Sequence, residues 1–137
     1  MSEPLTRQPL LHRFRLLTLL RVSLGAGAVY DLSFAFLMVF APGLPAELLS
    51  LPLPGASFYL WIMATFLVML AAFYLLAAHD PRRHSPVIVI AIGGRALGAV
   101  VFTAAALLDP TLGGLYPLAV ADLLFAVVHA AAWLPIR

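Results

Sequence analysis

The sequence contains no cysteine and no lysine, and it is poor in charge of either sign. The absence of cysteine excludes disulfides, iron–sulfur ligation and thiol catalysis. Charged residues make up 10% of the 137 residues and hydrophobic residues 64%, whereas a soluble domain usually has about 25% charged residues. A soluble fold of this composition would expose large apolar patches and aggregate. The sequence therefore predicts an integral membrane protein.

The motifs of several common enzyme classes are also missing. There is no phosphate-binding loop, glycine-rich dinucleotide turn, nucleophile elbow or zinc-protease helix. The length allows a single domain, residues 1–137, without a separate catalytic module. A cleaved signal peptide is not expected, because the first apolar stretch is too long and contains Arg21 and Asp31. Whether the protein is an enzyme is left open by the sequence.

Long apolar runs are what the sequence has in abundance. Four of them, separated by proline, glycine and charge clusters, predict transmembrane helices at residues 16–41, 56–78, 86–108 and 115–134. Each has about 20 or more residues, enough to cross a hydrocarbon core of about 30 Å. The predicted fold class is all-α, a four-transmembrane-helix bundle.

Local signals predict how two of the connections between these helices are built. Ser85 followed by Pro86 predicts an N-cap with proline at the first helical position. The apolar loop 42–55 predicts a short helical turn at the membrane interface, and alternatively a lid over a cavity or a docking segment for a partner subunit.

All eight basic residues are arginines, and seven of them lie on one side of the predicted spans: Arg7, Arg13, Arg15, Arg21, Arg82, Arg83 and Arg137. The positive-inside rule then places both termini in the cytoplasm, in a multi-pass protein of the cell membrane, expected to be a bacterial inner membrane. Aromatic residues fit the same frame, with Tyr74 and Trp133 expected near the inner interface and Tyr59, Trp61 and Tyr116 near the outer one.

The turn 79–84 has histidine, aspartate and arginine side chains in a short segment. It is predicted to be a solvated turn and not a metal site, because catalytic metal sites need about three converging ligands. Arg82 and Arg83 are expected to contact anionic lipid headgroups. Membrane lipids are therefore the predicted partners, with other membrane subunits or further copies of this chain as additional candidates, and no binding of nucleic acid is predicted.

Three charged residues fall inside the predicted spans, at similar heights. Counting about 1.5 Å per residue from the cytoplasmic ends puts Asp31 at about 22 Å, Arg95 at about 14 Å and Asp122 at about 18 Å. Ionisable residues within spans normally pair with one another. Arg95 is therefore the expected partner of Asp122, Asp31 or both, near the middle of the bilayer. This cluster is either a structural ion-pair network or a site for a ligand, a proton or a partner.

His129 lies seven residues after Asp122 and so points to nearly the same helix face. It is added to Arg95, Asp31 and Asp122 as a candidate ligand-binding residue. The favoured interpretation is a histidine near the inner interface that bonds to a backbone carbonyl or a polar neighbour. Haem or chlorophyll ligation at His129 is the alternative, and no cofactor is otherwise predicted.

Glycine spacing marks one further feature of the third span. Gly94 and Gly98 form a GxxxG pair around Arg95. Such pairs allow close approach between helices. Close packing here is expected to bring a neighbouring helix up to the guanidinium group.

These residues together resemble a group of small bacterial four-helix membrane proteins that are loosely DoxX-like. The resemblance covers most of residues 22–134. It is carried by an acid after Tyr30, a Phe-Ala-Pro42 helix exit, the turn Asp80-Pro-Arg-Arg-His-Ser-Pro86, the Gly-Gly-Arg95 segment and the acid at Asp122. It implies a four-helix membrane bundle and adds little about mechanism.

Three functions are compatible with these observations. The first is binding, or acting on, a lipophilic molecule such as an isoprenoid, a quinone or a lipid, with the bundle holding the tail and the charged cluster meeting the head. The second is an accessory or assembly subunit of a larger membrane complex. The third is proton or ion conduction by an oligomer through Asp31, Asp122 and His129. The first is preferred.

Overall fold

The chain folds into four long helices and two short helical connections. The computed structural model describes residues 7–137, with side-chain environments from Leu10 onwards, and no strand occurs in that range. The helices are α1 (Arg7–Phe40), α2 (Gly43–Leu48), α3 (Ser57–His79), α4 (Ser85–Leu108) and α5 (Tyr116–Trp133), with a 3₁₀ segment (Pro110–Leu115) before α5. Four helical stretches are long and apolar enough to cross a membrane. The predicted all-α class and its four long apolar helices are confirmed.

Helix α1 begins at Arg7, well before the predicted start of the first span at residue 16. Residues 10–20 are mostly leucine and arginine, which are strong helix formers, and contain no glycine or proline. Pro9 is tolerated because it lies in the first turn, where its missing N–H has no helical acceptor. Hydropathy therefore located the apolar part of this helix but not the residue at which the helix begins.

The start of α4 differs by one residue from the prediction. His84 is the N-cap, Ser85 is the first helical residue and no side chain caps the helix. The carbonyl of His84 already accepts hydrogen bonds from the N–H groups of Val87 and Ile88, at 3.0 and 3.3 Å. The preceding turn closes when the His84 N–H donates to the Asp80 carbonyl, so the prediction of Ser85 as N-cap was wrong.

The connection between α1 and α3 contains the short helical turn that the sequence predicted. Helix α2 ends in a Schellman motif, in which the Leu51 N–H donates to the Ala46 carbonyl at 2.8 Å and Ser50 has a φ of 50°. The chain then passes so close to the 3₁₀ segment that a Cβ on Gly114 would overlap the Leu49 carbonyl. The two connections at this end of the bundle are therefore packed against each other.

The packing between the long helices is uneven. Helix α1 packs extensively on α3, and α4 packs extensively on α5, whereas α3 and α4 contact each other much less although a short turn joins them. The interior is built largely from alanines, which permit close helix approach. A cluster of larger buried residues closes the end of the bundle near the 79–84 turn, formed by Leu20, Leu24, Ile88 and Trp133. Trp133 thus belongs to the core at this end of the bundle, and its predicted depth nearer the inner interface stays a prediction.

Candidate functional site

Three charged side chains from three helices meet inside the bundle. Arg95 of α4 donates through Nη2 to Oδ1 of Asp31 on α1 at 2.7 Å. It also donates through Nη1 to Oδ1 of Asp122 on α5 at 2.6 Å. Asp31 is 0% exposed, and Arg95 and Asp122 are each 7% exposed. The sequence prediction that Arg95 pairs with one or both acids is confirmed for both, and we call the three residues the charged cluster.

The height of the charged cluster can be measured from the end of the bundle that carries the 79–84 turn. Arg21 marks this end, because its Nη2 donates to the carbonyl of His79 at the end of α3, at 3.4 Å. Asp31 is ten residues further along α1, or about 15 Å. That distance is half of an apolar layer of about 30 Å. The cluster therefore lies near the middle of the apolar part of the helices.

Three aromatic rings surround the guanidinium group of Arg95. Its Cζ lies 5.4 Å from the ring centre of Tyr30, 5.2 Å from that of Tyr74 and 5.0 Å from that of Phe125. Ring faces attract cations, more strongly when both are shielded from water. Tyr74 is 3% exposed, and its predicted depth nearer the inner interface stays a prediction. No sequence signal marks these three aromatic residues as a group, because they lie on three helices with no shared spacing.

Glycines make room for the charged cluster, but not in the way the GxxxG spacing predicted. A Cβ on Gly98 would collide with Oδ2 of Asp122, so this glycine lets α5 bring its carboxylate up to α4. Gly94 has nothing within 4 Å of its Cβ position. Gly27 of α1 lies against the other members of the site, with its Cβ position 3.4 Å from the Tyr74 ring and 3.7 Å from Arg95 Nη2. Only Gly98 of the predicted pair packs closely on a neighbouring helix.

A groove opens on the flank of the bundle where α3 and α4 separate. It has a volume of about 370 Å³ and reaches inward to all three members of the charged cluster. Its walls are apolar side chains of the two helices, together with the small residues of α4: Leu67, Leu70, Phe73, Tyr74, Val87, Ile90, Ala91, Gly94, Gly98 and Phe102. We call it the lateral groove. It combines a long apolar wall with a charged floor.

Two polar atoms of the charged cluster are buried without a hydrogen-bond partner among the described residues. They are Oδ2 of Asp31 and Nε of Arg95. A buried polar atom without a partner is unfavourable, by about 1–3 kcal/mol. The two hydrogen bonds of the charged cluster thus engage two nitrogens and two oxygens, while one buried acceptor and one buried donor have no hydrogen bond among the described residues.

His129 is fully buried, but it does not line the lateral groove. Its ring stacks on Phe125, with centroids 5.9 Å apart, and lies 6.2 Å from the ring of Tyr74. Neither ring nitrogen has a hydrogen-bond partner within the described part of the chain. The backbone of Ser23 lies next to the ring, and the predicted bond to a backbone carbonyl or a polar neighbour stays a prediction. His129 contacts the groove residue Tyr74, so its role in ligand binding is at most indirect.

The other histidine considered as a partner for His129 in haem ligation is His79. His79 is exposed at the end of α3, whereas His129 is fully buried. Within residues 7–137, no three histidine, aspartate or glutamate side chains lie close enough to hold a metal ion. Haem or chlorophyll at His129 stays an untested alternative.

The turn 79–84 combines a fully buried proline, Pro81, with exposed basic side chains. Arg82 and Arg83 are exposed. The backbone N–H of Arg83 donates to Oδ1 of Asp80 at 3.2 Å, which stabilises the carboxylate and holds the pKa of Asp80 below its ordinary value. The binding of lipid headgroups by Arg82 and Arg83 stays a prediction.

Comparison of the chain with protein-family models, with curated proteins and with solved structures gave no match. The resemblance to DoxX-like proteins thus stays a prediction.

Proposed function

We propose that this chain is a multi-pass membrane protein that binds a lipophilic molecule in the lateral groove. The class of ligand is an isoprenoid, a quinone or a lipid. The observation that carries the proposal is an apolar groove of about 370 Å³ that opens on the flank of the bundle and ends on the charged cluster. A site of this kind suits a molecule with an apolar tail and a small polar head.

The route of the ligand follows from the position of the groove. The groove lies at the height of the charged cluster, near the middle of the apolar helices, so its mouth faces the hydrocarbon layer of a membrane. The tail would lie against Leu67, Phe73 and Ile90, and the head would reach Asp31 and Arg95. A purely structural ion-pair network does not require an opening at this point, and this observation favours a ligand site.

The orientation that we propose has the arginine-rich end of the bundle in the cytoplasm. The contact of Arg21 with the end of α3 brings the N-terminal part of α1 and the 79–84 turn to one end. The opposite connections, residues 41–56 and 109–115, contain no lysine or arginine. By the positive-inside rule the arginine-rich end faces the cytoplasm, in the cell membrane of a bacterium. Arg82 and Arg83 would then meet anionic lipid headgroups.

The test is to identify the lipids that co-purify with the protein from membranes. The key variant is Gly94→Leu, because Gly94 lines the lateral groove and has free space at its Cβ position, so a leucine fills the groove and leaves the charged cluster intact. The matched control is Gly93→Leu, since Gly93 has equally open surroundings but does not line the groove.

Mass spectrometry of the extracts should show one lipophilic species enriched over its level in the membrane. The enrichment should be lost in Gly94→Leu and kept in Gly93→Leu. Extracts that match bulk membrane lipid in the wild type and in both variants would contradict the proposed function.

A further inference from the structure

The chemistry of the polar head can be inferred from what the charged cluster leaves unpaired. Both terminal nitrogens of Arg95 already donate to carboxylates. With all three groups ionised, one guanidinium and two carboxylates sum to a charge of −1. An anionic head such as a phosphate or a carboxylate would therefore meet a net negative charge beside terminal nitrogens that each already donate to a carboxylate, and it would be repelled. The cluster disfavours the head groups that an intramembrane arginine would otherwise attract.

The fully buried atoms of the cluster that make no hydrogen bond are one acceptor and one donor. Oδ2 of Asp31 accepts hydrogen bonds, and Nε–H of Arg95 donates one. Both are buried, and both residues line the lateral groove. A hydroxyl is the small neutral group that donates and accepts at once. An ether oxygen only accepts, and an ammonium group only donates and must also lose its hydration.

We infer that the lateral groove selects a lipophilic molecule with a neutral hydroxyl head, an alcohol or a phenol. The hydroxyl donates to Oδ2 of Asp31 and accepts from Nε of Arg95, while the tail occupies the apolar walls. This inference rests on the proposed function, because it assumes that the groove is a ligand site.

The experiment compares four probes that share one tail: farnesol, farnesyl methyl ether, farnesylamine and farnesyl phosphate. Binding to the purified, detergent-solubilised protein is measured by native mass spectrometry, and binding at the groove is taken as the part lost in Gly94→Leu and kept in Gly93→Leu. Farnesol should bind at least about tenfold more tightly than each of the other probes, since each leaves a buried atom unpaired or adds charge.

A second variant isolates the hydroxyl contact. Asp31→Asn keeps the shape of the side chain and removes the carboxylate charge. It should reduce the preference of farnesol over the methyl ether severalfold and leave the binding of the ether nearly unchanged.

The outcomes separate the head inference from the proposed function. Groove-dependent binding in which the ether, the amine or the phosphate equals or exceeds farnesol would overturn the hydroxyl inference and leave the lipophilic site standing. A farnesol preference that survives unchanged in Asp31→Asn would also overturn the inference. Binding that is equal in the wild type and in Gly94→Leu for every probe would overturn both.

Discussion

At the scale of single residues, Arg95 is the centre of the molecule. It joins α4 to α1 and α5 through hydrogen bonds of 2.7 and 2.6 Å, and three aromatic rings face it. Removing one partner of a buried ion pair leaves uncompensated charge, which is more unfavourable than the absence of the whole pair. Two carboxylates would be left unpaired here.

Arg95→Ala should therefore lower the free energy of unfolding by about 3 kcal/mol or more. Circular dichroism recorded during thermal unfolding in detergent measures the change in stability. The matched variant combines Arg95→Met with Asp31→Asn and Asp122→Asn, so that no charge is left in the core. It should recover a substantial part of the lost stability, and a triple variant less stable than Arg95→Ala alone would refute this electrostatic explanation.

The two glycines of α4 give a second test at the residue scale. Gly98→Ala should destabilise the protein by about 1–3 kcal/mol, because the new methyl group meets the Asp122 carboxylate. Gly94→Ala has open space and should be neutral or stabilising by up to about 1 kcal/mol through helix propensity. Unfolding in the same detergent measures both variants. Equal stabilities would show that the close contact at Gly98 is not required.

The charged members of the site were predictable from the sequence, and the rest of it was not. Counting residues from the arginine-flanked ends placed Asp31, Arg95 and Asp122 at similar heights, and the high cost of unpaired charge in an apolar core forced them together. Height along a helix does not determine which way a side chain points. The contact of the Tyr74 ring with Arg95 depends on how each helix is rotated about its axis, and so do the surroundings of the His129 ring nitrogens. Only the structure shows these rotations.

At the scale of elements, the fold was predictable in its helices but less so in their ends. Hydropathy located the four long helices because apolar length is what a bilayer selects. It placed the start of α1 too late, because the helix continues through an arginine-rich segment that hydropathy does not score as a span. It could not show that the two connections at the far end pack together, since that contact depends on the backbone at Gly114.

The contact between those connections predicts the effect of a small substitution. In Gly114→Ala the new methyl group cannot coexist with the Leu49 carbonyl, so the segment around α2 must move away from the 3₁₀ segment. We expect faster cleavage of residues 49–56 by an added protease. Gly113→Ala is the control, because nothing lies within 4 Å of its Cβ position. Identical cleavage rates in the two variants would count against the packing described.

Asp109, the N-cap of the 3₁₀ segment, makes the stability of the same end of the bundle depend on pH. Oδ1 of Asp109 accepts from the N–H and the hydroxyl of Thr111, at 2.9 and 2.7 Å, and these bonds hold the pKa of Asp109 below its ordinary value. A lowered carboxyl pKa means that its contribution to stability is present at neutral pH and is lost as the pH falls through the folded-state pKa. The contribution is small, because the carboxylate is exposed.

At the scale of the whole molecule, the asymmetry between the two ends of the bundle carries the proposed topology. Six arginines with described side chains are exposed, and all of them belong to the chain segments at the end that holds the 79–84 turn: Arg13, Arg15, Arg21, Arg82, Arg83 and Arg137. The other end has Glu47 and Asp109 as its charged residues. This distribution is what the positive-inside rule describes.

Cysteine labelling tests that topology directly, since the chain has no native cysteine to remove. Glu47→Cys and His79→Cys place exposed thiols at opposite ends of the bundle. In intact bacterial cells, a membrane-impermeant maleimide should label Glu47→Cys and should label His79→Cys only after the membrane is permeabilised. Labelling of His79→Cys but not of Glu47→Cys in intact cells would contradict the proposed orientation and indicate the opposite one.

The separation of α3 from α4 is the feature of the whole molecule on which the proposed function depends. It forms a groove that reaches the buried charged cluster from the flank of the bundle and not from either end. A photocrosslinking residue at Phe73, on the wall of the lateral groove, reports what occupies it in the membrane. Phe66 is the matched position, since it is exposed on the same helix but does not line the groove.

Irradiation of intact membranes, followed by mass spectrometry of the purified adduct, is the most direct measurement of the central claim. The account predicts one lipophilic species captured at Phe73 and only the common membrane phospholipids at Phe66. The same mixture of phospholipids at both positions would contradict it.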